Sequence, residues 1–87
     1  MKNLEAILKQ INWTRKWHGA PIINITKMNQ SDADLVVNHI YIALEPENLH
    51  CDGEISRSQA MAKEKMLKGA LREISTRGFS INPPEWC

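Results

Sequence analysis

Eighty-seven residues with 43% apolar content make one domain with room for a single small core. No run of about 18 apolar residues is present, which excludes a helical membrane span. The formal charge of +1 and two cysteines exclude a strongly basic nucleic-acid binder and a disulfide framework.

The small net charge conceals blocks. Residues 1–30 carry Lys2, Lys9, Arg15, Lys16 and Lys27 against Glu5 alone. Residues 31–54 carry Asp32, Asp34, Glu45, Glu47, Asp52 and Glu54 with no Lys or Arg. Residues 57–77 are basic again, with Arg57, Lys63, Lys65, Lys68, Arg72 and Arg77 against Glu64 and Glu73. An acidic middle packed between basic flanks explains this pattern, and so does a folded surface with two charged poles that steers association.

Leu4, Ile7, Leu8 and Ile11 recur at i, i+3, i+4, i+7, which predicts a first helix from residue 2 or 3. Its end has two readings. It stops near Asn12, or it continues to His18, where Gly19 and Pro21 are stop signals and Trp13 and Trp17 share a face. In the rival reading Trp13–Trp17 is a strand turned back into Ile22–Lys27. The β-branched run after Pro21 favours an extended segment or small hairpin around residues 21–27.

Ser31 is the expected cap of a second helix, with Asp32 and Asp34 in its first turn and Ala33, Val36, Val37, Ile40 and Leu44 on its apolar face. Its β-branched content also suits a strand. Glu45, preceding Pro46, ends the element. Residues 46–54 then read as a loop anchored by Leu49.

The best-punctuated helix runs from Ser56 to Gly78. Ser56 and Gln59 form the pattern of a capping box. Ala60, Leu67, Ala70, Leu71 and Ile74 share a face, with Lys63 beside it and Lys65, Lys68 and Arg72 opposite. Gly78 at C′, Phe79 at C″ and Ile74 at C3 fit a Schellman ending. Gly69 is either a tolerated glycine or the site of a close approach by another backbone. Phe79 and Ile81 alternate with polar residues, which predicts an edge strand beside Ile22–Lys27, stopped by Pro83-Pro84.

Together these give a mainly helical α+β domain over residues 1–82, with three helices, one extended segment and a C-terminal tail from 83. Neighbouring His50, Cys51 and Asp52 lack a separate base for nucleophilic chemistry. His39, His50, Cys51 and Cys87 lack the paired spacings of a zinc site. No enzyme, cofactor or metal is expected. The expected activity is contact with another protein through Trp86, Met61 and Trp17, aromatic anchors being common at interfaces. Core burial is the default for one or two of the three tryptophans. The alternative is nucleic-acid or anion binding by Lys65, Lys68, Arg72 and Arg57. A third reading is a structural or assembly component, and a homodimer is one way to supply missing burial. Lacking a long apolar leader, the chain reads as cytoplasmic.

The segment Pro46-Glu47-Asn48-Leu49-His50-Cys51-Asp52-Gly53-Glu54, followed by a basic helix, resembles that of small bacteriophage-encoded proteins of uncharacterised function. The resemblance implies a phage product in a bacterial cytoplasm that binds a host component. It brings no assigned functional residues.

Overall fold

Helical periodicity decides the architecture of this computed structural model, which describes residues 2–49 and 57–84. Helix α1 spans Lys2–Trp17. A 3-10 turn at Ile25–Lys27 leads into α2, Gln30–Leu44. A single turn, α3, covers Pro46–Leu49, and α4 runs from Arg57 to Thr76. The fold is all-helical among the described residues, which corrects the α+β expectation.

Helix α4 packs against both α1 and α2. Asn3 and Leu4 lie beside Gly69 and Glu73, whereas Gln10 shares a hollow with Lys63 and Met66, so α1 and α4 run antiparallel. Gln30 meets Ser80 just beyond the end of α4, and Ile42 lies near Lys63, so α2 is also antiparallel to α4. Residues 18–29 carry the chain back between the two parallel helices. The core joins Leu4, Ile7 and Leu8 of α1, Ala33, Val36, Val37 and Ile40 of α2, and Leu67, Ala70 and Ile74 of α4, with Ile23 and Met28 closing it from the return segment.

The endings of α1 and α4 have one cause. Gly19 (φ +71°) and Gly78 (φ +94°) take the left-handed conformation that other residues resist. Ala20 N–H reaches Arg15 O at 2.9 Å and Gly19 N–H reaches Lys16 O at 3.2 Å, the paired bonds of a Schellman ending. Phe79 N–H to Ile74 O at 3.4 Å and Gly78 N–H to Ser75 O at 3.0 Å repeat the pattern at the predicted positions. The first helix therefore takes its longer reading, through both Trp13 and Trp17.

No strand or hairpin forms at residues 21–27 among the described residues. Side-chain amides and guanidinium groups supply the backbone partners that a neighbouring strand would have supplied. Asn12 Nδ2 donates to Ile23 O at 2.9 Å, and Ile23 N–H donates to Asn12 Oδ1 at 2.8 Å. Arg15 Nε holds Pro21 O at 2.7 Å, and Arg77 Nη2 holds Ile25 O at 2.7 Å. The tail is treated alike: Ser80 exchanges two 3.0 Å bonds with the Gln30 side chain, and Asn82 reaches Asp34. It thus lies along α2, and the edge strand expected at Phe79 and Ile81 does not form.

Two boundaries differ from expectation. Asn29, not Ser31, caps α2: its Oδ1 accepts Asp32 N–H at 2.8 Å while Asp32 reaches back to the Asn29 N–H, a reciprocal box that Ser31 cannot close from inside the helix. Pro46 opens a helical turn instead of a plain loop, because its fixed φ suits a first helical position and its missing N–H is not needed there. That raises the number of α-helices among the described residues from the expected three to four. Ser56, the expected cap of α4, lies outside the described residues, as does the side chain of Leu49.

Candidate functional site

The expected burial of the tryptophans fails for α1. Trp13 and Trp17 are 66% and 74% exposed. The inward face of α1 is filled by Leu4, Ile7 and Leu8, and a helix that continues with 3.6 residues per turn carries Trp13 and Trp17 to the opposite side. Their i, i+4 spacing brings the rings together, with centroids 5.8 Å apart and planes tilted by 59°, a favourable aromatic geometry. Lys16 borders both rings, and Lys9 borders Trp13 one turn earlier. The result is an aromatic surface edged with positive charge.

Met61 is 61% exposed on the outer face of α4. It shares a shallow surface with Lys65, Lys68, Leu71 and Arg72. Arg57 is also exposed, at the start of the same helix. Lys68 is tied to Glu64 at 2.9 Å, an exposed i, i+4 pair that dilutes the positive field there. Met61 and Trp17 thus sit on different helices, and the neighbour of Trp17 is Trp13, which was not among the expected contact residues. Trp86 lies outside the described residues, as do His50, Cys51 and Cys87.

Three further exposed apolar residues were missed: Ile22 (64%) in the return segment, and Leu35 (47%) and Ile42 (44%) on α2. The seven-residue spacing of Leu35 and Ile42, opposite Val36, Val37 and Ile40, was a legible sign of an outward apolar stripe. Near the end of α2, His39 borders a hollow with Gln10, Asn48 and Lys63, and Lys63 Nζ donates to Asn48 O at 3.4 Å. Burial of the imidazole, aided by the Lys63 ammonium, holds His39 below its ordinary pKa. Among the described residues no three His, Cys, Asp or Glu side chains converge to hold a metal, and no helix is long and apolar enough to cross a membrane.

No family model, curated protein or solved structure matches this chain.

Proposed function

We propose that this chain acts by binding another protein through the Trp13–Trp17 surface and catalyses no reaction of its own. The observation that carries this reading is the placement of two touching tryptophans in water while a core of smaller residues closes without them. Large aromatic side chains are frequent anchors of protein interfaces. Covering about 300 Å² of tryptophan surface is worth roughly 7 kcal/mol before association costs. Micromolar affinity needs about 8 kcal/mol net, so Lys9, Lys16 and surrounding contacts must also contribute. The bacteriophage setting implied by the Pro46–Glu54 segment makes a host protein the partner class.

The test is affinity capture from bacterial lysate with the natural chain and with Trp13→Ser/Trp17→Ser, followed by a binding titration of any protein retained. The natural chain holds its partner and the double variant loses at least about tenfold in affinity. Equal affinity of the two, or robust turnover of a substrate by the purified chain, overturns the reading.

A further inference from the structure

We propose that the Trp13–Trp17 face of α1 docks onto the outer face of α2 in a second copy of this chain. The inference rests on reading the tryptophan pair as a contact surface and names what covers it when no host protein is bound: a helix face of the same chain with an apolar stripe and carboxylates, which a host protein would displace. Both halves of that contact are present in one molecule. Lys9, Trp13, Lys16 and Trp17 face outward on α1, whose only carboxylate is Glu5. Leu35 and Ile42 are exposed on α2, which contains Asp32 and Asp34 but no Lys or Arg, and Glu45 follows at its end. Asp34 also accepts from Gln30 and Asn82, and Lys63 of α4 comes near the stripe only at the hollow that Ile42 borders.

The spacings agree. Lys9 and Lys16 are seven residues apart, hence about 10.5 Å along the helix axis, and Trp13 lies between them. Leu35 and Ile42 are also about 10.5 Å apart, with exposed Asn38 between them, and Asp34 and Glu45 bracket the stripe over about 16.5 Å. The flexible stem of lysine covers the difference. Apolar surface then meets apolar surface at the centre and opposite charges meet at the rim, the usual division of an interface. Within one protomer the two faces do not cover one another, since Trp13, Trp17, Leu35 and Ile42 are all exposed. Between copies the contact is heterologous: each molecule offers one face and receives the other, so association continues into a chain or a ring.

Sedimentation velocity and light scattering of the full chain, up to about 1 mM protein, test this, in about 0.05 M and about 0.5 M salt. The mean mass should rise with concentration, and association should be roughly tenfold weaker in the higher salt. Trp13→Ser/Trp17→Ser and Leu35→Ser/Ile42→Ser each break one face, and each variant alone should stay monomeric. Mixed in equal amounts they should form a one-to-one dimer that grows no further, since one intact copy of each face remains. Should a serine variant lose its helical circular dichroism, Lys9→Glu/Lys16→Glu takes the place of the first and Glu45→Lys that of the second. A natural chain that stays monomeric throughout, a single variant that still associates, or a mixture that stays monomeric overturns the proposal. Quenching of the tryptophans by an oligothymidylate probe, with the protein mass unchanged, overturns it in favour of a single-stranded nucleic acid. Failure of self-association leaves the capture result standing, and so separates this inference from the broader binding role.

Discussion

The side chain of Asn12 pairs with both backbone groups of Ile23, giving and receiving hydrogen bonds of 2.9 and 2.8 Å. One residue of α1 thereby does for the return segment what a neighbouring strand does in a sheet. Its loss strands a donor and an acceptor beside the buried Ile23. Asn12→Leu, close in size but without the amide, should cost about 2 kcal/mol, read from the shift of a urea midpoint. Hydrogen exchange at the Ile23 amide should accelerate in the same variant.

Gly69 of α4 leaves room for Asn3 of α1. A Cβ on Gly69 would collide with the Asn3 side-chain amide and sit 3.3 Å from its Cγ. The expected alternatives were a tolerated glycine or a backbone approach; what comes close is a side chain, and Asn3 also contributes a hydrogen bond to Glu73. Gly69→Ala should therefore destabilise the natural chain by about 1 kcal/mol, the displaced Asn3 outweighing the helical gain. In an Asn3→Ala background the same change should stabilise by up to about 1 kcal/mol. A double-mutant cycle by chemical denaturation measures the coupling, and simple additivity would refute it.

Glu73 reaches across to the first turn of α1, where Leu4 N–H has no acceptor within its own helix and meets Glu73 Oε1 at 3.4 Å. Burial alone would raise this carboxyl. Hydrogen bonds and positive charge at the amino end of the chain, with the Leu4 N–H and the Asn3 side chain, outweigh burial and hold it below its ordinary value of 4.5. A depressed folded pKa gives stability that is fully present above about pH 4.5 and is lost as pH falls through the folded value. Glu73→Gln should flatten that acid limb of a denaturation-midpoint profile. An unchanged slope would exclude the linkage.

His39 carries the opposite charge and the opposite preference. Its residue is exposed, yet its ring borders the Lys63 hollow, and burial together with the Lys63 ammonium lowers its pKa from 6.5. The unfolded chain therefore takes up the imidazole proton first. Stability should fall as pH drops from about 6.5 towards the folded value, and level off below it. His39→Gln should remove this dependence, and Lys63→Gln should raise the His39 pKa, followed by ring-proton shifts in NMR.

The helical periods were legible because burial follows local spacing. Leu4, Ile7 and Leu8, then Ala33, Val36, Val37 and Ile40, then Leu67, Ala70 and Ile74 all enter the core from the faces their positions dictate. Gly78 ended its helix as its place in the sequence required, since a left-handed residue after the last turn is a local need. The fate of Ile22–Lys27 and of Phe79–Ile81 was decided elsewhere. β-branched or alternating residues make extended backbone, but whether that backbone joins a sheet depends on which donors and acceptors lie beside it. Here those are Asn12, Arg15, Gln30 and Arg77, set in place only once the helices have packed. The exposure of Trp13 and Trp17 is of the same kind. Spacing put them on one face of α1, but only the contact of α1 with α4 determined that this face would meet water, because the core was already filled from the other side.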